Sequence, residues 1–354
     1  MKPTLLQSKP VSLLTGLLLL IALILSLLIG VTMGSVHIAA ADVYNVILQH
    51  FSWYEVQPLG VERAVYDIVW LLRMPRLVLA AAVGMGLAVC GAVMQAIMKN
   101  PLADPYILGI SSGASLGAAL AILCGVGTAF GANYIGICAF GGAFIMALAV
   151  LVIAGHGGES HPVKLLLTGM ALGSVSSAFS SFIVYISNDI DGIQRVTYWL
   201  MGSLAGANWK SLTVIFPVVL GAVMFFWSQS RILNLMLMGD ETAVTLGTNL
   251  HHYRQAYLVV CALVVGFVVY AAGMIGFVGL LIPHIVRMLF GTDHNKLIPL
   301  CALVGAVFLI WADVLCRIIL PKTELPIGVL IALVGAPFFV YLMTRKVYHF
   351  GSRT

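Results

Sequence analysis

Long apolar runs, separated by short polar or glycine- and proline-containing breaks, dominate this chain. A helix needs about 20 apolar residues to cross a hydrocarbon core of about 30 Å, at a rise of about 1.5 Å per residue. On that criterion the pattern predicts about ten transmembrane helices joined by short loops. The predicted spans cover residues 13–33, 74–98, 106–126, 132–154, 164–186, 211–228, 256–272, 273–291, 297–318 and 326–343.

Three stretches are too polar to be spans. Residues 35–72 are predicted to lie outside the membrane and to include a short amphipathic surface helix at 42–51. Residues 188–209 combine helical spacing with aromatic anchors, which predicts a helix at the membrane interface. Residues 229–255 are predicted to form a polar excursion on the cytoplasmic side.

The composition indicates an all-α polytopic membrane protein with a single domain over residues 1–354. Hydrophobic residues make up 61% of the chain and charged residues only 9%, whereas soluble domains have about 25% charged residues. In a membrane protein a net charge of +5 gives information on orientation in the lipid bilayer. It does not indicate a nucleic acid partner, and none is predicted. The six cysteines lie scattered in apolar segments, so neither a disulfide framework nor a metal site is predicted.

The basic residues favour an orientation with both termini inside (N-in, C-in). Ten crossings bring the two termini to the same side of the membrane. With the N-terminus inside, 11 of the 18 lysines and arginines fall in inner segments. Cytoplasmic loops carry an excess of lysine and arginine, so the distribution supports this orientation.

The most distinctive pattern lies in residues 73–114. It opens with the sequence RMPR at 73–76, continues for 22 uncharged residues, and closes on the turn NPLADP at 100–105. Glycines at 84, 86 and 91 predict close approach of neighbouring helices, a common device within lipid. The two prolines of the turn predict that the helix breaks there.

This stretch resembles the signature of the FecCD-like permeases of type II ABC importers. The resemblance rests on R-x-P-R followed by N-P-L-A-D-P-x-x-L-G-I-S-x-G-A. Similar blocks at 273–287 and 324–339 extend it to roughly residues 13–345. Permeases of that family take up ferric siderophores, haem and cobalamin. The resemblance implies their permease fold and a multi-pass location in the cytoplasmic (inner) membrane.

The resemblance also implies partners. A homodimer would surround a central pathway, two cytoplasmic ATPase subunits would drive it, and an extracytoplasmic substrate-binding protein would deliver a metal chelate. The chain would be a transport subunit and not an enzyme, with no cofactor bound directly. Its sequence lacks G-x-x-x-x-G-K-[S/T], so ATP would bind the partner subunit.

An ion-gradient-driven secondary transporter is the alternative function. Such carriers usually place ionisable groups near the membrane midplane. Asp313 is the one acid within a predicted span, and it lies near the outer end of that span. The sequence therefore favours the ATP-driven importer.

The cytoplasmic segment 237–248 is predicted to contain a coupling helix. Two acids near its start suit the positive end of a helix dipole, and glycines bracket it. The pattern G-[D/E]-x-x-A-x-x-L-G is similar to the element with which the family docks its ATPase, and a solvated loop helix is the alternative interpretation. The residues concerned are Gly239, Asp240, Glu241, Ala243, Leu246 and Gly247.

The resemblance assigns further roles at the two ends of the pathway. Arg73, Arg76 and Arg317 resemble arginines that pair with acids of the binding protein, although arginines at a membrane edge often only anchor in the headgroups. Pro162 and Val163 match the family's second gate turn by position only, and a plain helix N1 residue is the alternative interpretation of Pro162. The candidate pathway and gate residues are Asn100, Leu102, Pro162, Val163 and Arg195.

Overall fold

The computed structural model of the chain describes residues 9–34, 38–51, 63–156, 162–320 and 323–344. Helices form the regular structure in these ranges. The α-helices are α1 (Lys9–Thr32), α2 (Ala40–Phe51), α3 (Arg63–Tyr66), α4 (Met74–Met98), α5 (Ile110–Cys124), α6 (Tyr134–Gly155), α7 (Pro162–Ile186), α8 (Ile190–Met201), α9 (Trp209–Ser228), α10 (Ser230–Met238), α11 (Asp240–Thr245), α12 (Leu250–Ala272), α13 (Val278–Phe290), α14 (His294–Ile318) and α15 (Ile327–Thr344). A π-helical segment joins α3 to α4, and short 3-10 helices precede α5 and α6.

Seven helical stretches in the described ranges are long and apolar enough to cross a membrane. They contain α1, α4, α6, α7, α9, α12 and α14. Three shorter apolar helices, α5, α13 and α15, occupy the positions of the other predicted spans. A helix therefore lies at each of the ten places where the apolar pattern predicted one.

The central helix of the bundle is α4, nearly all of whose residues are buried. A Cβ atom at Gly84 would lie 2.1 Å from the carbonyl oxygen of Gly305 in α14. A Cβ atom at Gly91 would lie 1.8 Å from the carbonyl oxygen of Gly279 in α13. These distances leave no room for a side chain, so the helix backbones are in direct contact. The close packing predicted from the glycines of α4 is confirmed.

The predicted break after α4 is also confirmed. Lys99 follows the last helical residue in the left-handed conformation (φ 48°), which is uncommon for a residue other than glycine and typical of a helix C-cap. At the end of the turn the Asp104 carboxylate accepts a hydrogen bond of 2.9 Å from the Tyr106 N–H. This bond starts the 3-10 helix Pro105–Leu108, and the chain then re-enters the bundle as α5.

The helix that contains α4 begins earlier than predicted. It was expected at 74–98 and begins at Arg63, within the segment 35–72 that is predicted to lie outside the membrane. Its 36 residues span roughly 54 Å at about 1.5 Å per residue, so its first turns extend beyond a core of about 30 Å. Trp70 holds them by stacking on His50 and Trp209, with ring centroids 3.7 and 5.0 Å apart. Residues 52–62 of this segment lie outside the described residues.

Helices are confirmed in the two stretches for which a surface location is predicted. The amphipathic stretch at 42–51 forms α2, and the interfacial stretch at 188–209 contains α8. The side chain of Asp189 caps α8 by accepting a hydrogen bond of 2.9 Å from the Gly192 N–H. The polar excursion at 229–255 contains α10, α11 and the start of α12.

Candidate functional site

The predicted coupling segment forms α11, a six-residue helix between two glycines. Gly239 precedes it at φ 108° and Gly247 follows it at φ 76°, and L side chains rarely adopt either conformation. The N–H groups of Gly247 and Thr248 bond to the carbonyls of Val244 and Ala243, both at 2.9 Å, as in a Schellman C-cap. The two glycines therefore fix where α11 begins and ends.

The two acids of α11 have different surroundings. The Asp240 Oδ1 atom accepts hydrogen bonds from Arg254 Nη2 at 2.9 Å and from Lys99 Nζ at 3.3 Å. Burial raises the pKa of the Asp240 carboxyl, but the charges of Arg254 and Lys99 outweigh this effect and hold that pKa below its ordinary value. Glu241 is exposed. Asp240 thus attaches α11 to the transmembrane helices, and Glu241 faces outward.

The outward surface of α11 is partly apolar. Val244 and Leu246 are 67% and 65% exposed, and Met238, just before the helix, is 66% exposed. Ala243 is fully buried against the rest of the chain. Three exposed apolar side chains beside an exposed carboxylate form a surface suited to a protein partner. We call the surface formed by Met238, Glu241, Val244 and Leu246 the docking face.

The predicted gate residues lie in two places. Asn100 and Leu102 belong to the turn after α4, where the Leu102 N–H donates to Asn100 Oδ1 at 2.9 Å. Pro162 is the first residue of α7 and Val163, the second, is 65% exposed. Residues 157–161, which complete the second turn, lie outside the described residues. Lys99 brings the first turn into contact with α11 through Asp240.

The three predicted docking arginines bind atoms of this chain. Arg73 Nη1 donates to the Val31 carbonyl at 2.7 Å, and Arg317 donates to the carbonyls of Gly30 and Met33 at 3.3 and 3.0 Å. Both side chains thereby satisfy carbonyls at the C-terminal end of α1, which have no partner within that helix.

Arg76 binds two carboxylates. Its Nε donates to Asp313 Oδ1 and its Nη1 to Glu324 Oε2, each at 2.8 Å. Asp313 also lies 3.1 Å from Arg317 Nε, so one buried acid joins two arginines. The docking role of the three arginines stays a prediction, and Arg76 has an exposed acidic partner, Glu324.

Arg195 is the remaining residue with a predicted pathway role. It is on α8, half exposed, and its Nη2 atom is 3.4 Å from Asp189 Oδ2. This contact ties the side chain to the beginning of its own helix. The pathway role of Arg195 stays a prediction.

Sequence reasoning did not identify the partners of these residues. Lys99, Arg254 and Glu324 were not singled out, although each binds a predicted site residue or its neighbour. One available signal was the position of Lys99 directly before the NPLADP turn. Arg254 is 14 residues from its partner, and nothing in its local sequence marks it. Glu324 opens the block at 324–339, but its partner Arg76 lies 248 residues away.

Comparisons with known proteins give a consistent result. The model of the FecCD transport family matches residues 18–345. The uncharacterized ABC transporter permease protein YvrB of Bacillus subtilis is 37% identical over 337 residues, which cover 94% of this chain and 93% of YvrB. The cobalamin import system permease protein BtuC of Halobacterium salinarum is 41% identical over 287 residues, which cover 81% of this chain and 76% of BtuC.

A solved structure agrees in fold. It is that of a metal-chelate type ABC transporter in an inward-facing conformation, with a TM-score of 0.79 and 30% sequence identity. The match covers 94% of this chain and 99% of that one.

Proposed function

The chain belongs to the FecCD transport family as a multi-pass membrane permease, and we propose that ATP hydrolysis on a partner subunit drives its import of a corrinoid. The observation that carries the proposal is α11 with its docking face. A helix of six residues between two glycines contributes nothing to crossing the membrane. Its exposed apolar side chains and carboxylate instead fit a groove on a cytoplasmic ATPase.

We propose ten transmembrane spans with both termini inside. The short helices α5 and α13, of 15 and 13 residues, are roughly 22 and 20 Å long at about 1.5 Å per residue. Each is extended at its start by other, partly buried backbone, the 3-10 helix before α5 and residues 273–277 before α13. Non-helical backbone is tolerated at membrane depth where protein covers it.

We propose that two copies of the chain enclose the pathway and that α7 lines it. One face of α7 exposes residues at helical spacings of three, four and seven. These are Val163, Leu167, Met170, Ser174 and Ser181. Serines on an exposed face suit a partner helix or a watery pathway better than lipid tails. The predicted gate residue Val163 lies at the cytoplasmic end of this face.

Arg73, Arg76 and Arg317 remain the proposed contact site for the binding protein. Arg73 and Arg317 would act by holding the outer end of α1 in place. Arg76 would act directly, because its partner Glu324 is 51% exposed and an acid of the binding protein could replace it. A guanidinium group can bind such a carboxylate through two N–H groups.

The corrinoid is the cargo favoured within the family. The BtuC relative at 41% identity is a cobalamin permease, and the structural neighbour is of the metal-chelate type. An ion-gradient-driven carrier is less well supported, because Asp313 is neutralised by two arginines near the outer ends of α4 and α14. Haem and ferric siderophores are the alternative cargoes of an importer.

The test is reconstitution with the ATPase and binding protein encoded by the same genome. The proposal expects a complex of two permeases and two ATPases that moves radiolabelled cobalamin into or out of vesicles only with ATP. Cargo is assigned by competition with unlabelled haem and a ferric siderophore. Transport of haem or of the ferric siderophore instead would overturn the assignment of the corrinoid as cargo but not the assignment as an importer. A permease that never retains an ATPase and responds to an ion gradient would overturn the importer itself.

A further inference from the structure

We propose that Lys99 and Asp240 form the link through which movement of α11 reaches the gate turn, residues 99–104, while Arg254 anchors α11 to α12. The inference rests on the proposed function, since it concerns how the ATPase would act on the pathway. Its basis is the contact of one carboxylate with two cations from different helices. Lys99 and Arg254 are thereby assigned as positioning residues.

The first step is that α11 can move as a unit. Its backbone is closed at the C-terminal end by the two hydrogen bonds of the Schellman cap. It is bounded on each side by a glycine at positive φ, where the chain can change direction with little steric cost. A partner that pushes on the docking face therefore displaces the whole helix, and Asp240 at its first residue moves with it.

The second step is that the two bonds of Asp240 differ in strength. The Arg254 side chain is 4% exposed and donates at 2.9 Å, so this ion pair is well shielded. The Lys99 side chain is 33% exposed and its contact is longer, 3.3 Å. Solvent screens the second pair more, and it opens at a lower cost. Displacement of α11 would thus alter the Lys99 contact before the Arg254 contact.

The third step is that Lys99 is rigidly connected to the predicted gate. The N–H groups of Lys99 and Asn100 bond to the carbonyls of Ala96 and Gln95 at the end of α4. The Ala103 N–H bonds to the Asn100 carbonyl, and the Leu102 N–H to the Asn100 side chain. The turn is therefore a small bonded unit, and a change at Lys99 is passed to Asn100 and Leu102.

The test uses the Lys99→Gly variant in the reconstituted importer. Glycine keeps the left-handed backbone of the C-cap and removes the side chain with its ammonium group. We expect the amount of cargo moved per ATP hydrolysed to fall about fivefold, at the low end of allosteric coupling because the pair is partly exposed. Lys99→Arg should restore it. The matched control is Arg231→Ala, which removes an exposed cytoplasmic cation from α10.

A second readout follows the gate directly. Leu102→Cys, in a background with Cys124 and Cys138 changed to serine, is labelled with a membrane-impermeant maleimide in the presence and absence of ATP. With Lys99 present the labelling rate should depend on the nucleotide, and with Lys99→Gly this dependence should disappear. A purely structural lysine would change the labelling rate equally in both states.

Asp240→Asn provides an independent variant if Lys99→Gly does not fold. In addition, the double variant Lys99→Gly/Asp240→Asn should lose no more coupling than Asp240→Asn alone, because Lys99 acts through Asp240. Unchanged transport per ATP and unchanged nucleotide-dependent labelling in the variants would overturn the link. A wild-type permease that binds no ATPase would instead overturn the proposed function, so the two failures are distinguishable.

Discussion

Arg76 and Asp313 form a hydrogen-bonded ion pair, Nε to Oδ1 at 2.8 Å, between the start of α4 and the C-terminal part of α14. The Asp313 side chain is 1% exposed, whereas that of Glu324, the second acid bound to Arg76, is 51% exposed. Removing one member of a buried pair costs about 3–5 kcal/mol, and an exposed pair contributes about 0–1 kcal/mol. Asp313 should therefore dominate the stability of this cluster.

We expect Asp313→Asn to lower the free energy of unfolding by about 3 kcal/mol or more, because two guanidinium groups lose their shared counter-charge. Glu324→Gln is the matched control and should lower it by less than about 1 kcal/mol. Thermal unfolding of both purified variants in one detergent measures the difference. Equal decreases in melting temperature for the two variants would contradict the dominant role of Asp313.

A second prediction concerns Glu241 on the docking face. Glu241→Arg should reduce the amount of ATPase that co-purifies with the permease, because it reverses the charge of an exposed residue without disturbing Asp240. Charge reversal at an interface typically costs several kcal/mol, so retention should fall at least about tenfold. Arg231→Glu, which reverses the charge of an exposed residue on α10 outside the docking face, is the control. Undiminished co-purification of the Glu241→Arg variant would remove this residue from the interface.

A third prediction concerns the packing of α4. Gly91→Ala places a Cβ atom where the Gly279 carbonyl oxygen lies, so α4 and α13 must separate. Overpacking of this kind costs about 1–3 kcal/mol. Gly141→Ala is the matched control, because nothing lies within 4 Å of its Cβ position. In thermal unfolding the Gly91→Ala variant should melt at a lower temperature than the Gly141→Ala variant. Equal melting temperatures would mean that the α4–α13 contact adjusts freely.

The helices were predictable because their determinants are local. Apolar runs set the ten positions, the two prolines after α4 set its end, and Gly239 and Gly247 set the limits of α11. The start of the helix at Arg63 was not predictable from apolar periodicity. Its outer turns are held by Trp70 stacking on His50 and Trp209, residues that are distant in sequence.

The roles of individual charges were much less predictable. Asp240 and Glu241 are adjacent acids, and only the positions of Lys99 and Arg254 in space distinguish the inward one from the outward one. Likewise, the sequence places Arg73 and Arg317 at the outer surface but does not show that they bind the end of α1. A single sequence contains no direct record of such long-range pairs.

The last prediction uses Glu324 to test whether Arg76 contacts the binding protein. If an acid of that protein binds Arg76, Glu324 competes with it for the Nη1 atom. Glu324→Gln should then strengthen binding about twofold to fivefold, and Arg76→Gln should weaken it. Affinity is measured on the permease in nanodiscs at two salt concentrations, with Lys210→Gln as an exposed control on the outer side. If Arg76 has only a structural role, the Glu324→Gln variant should bind the binding protein with unchanged affinity, because it keeps the buried bond between Arg76 and Asp313.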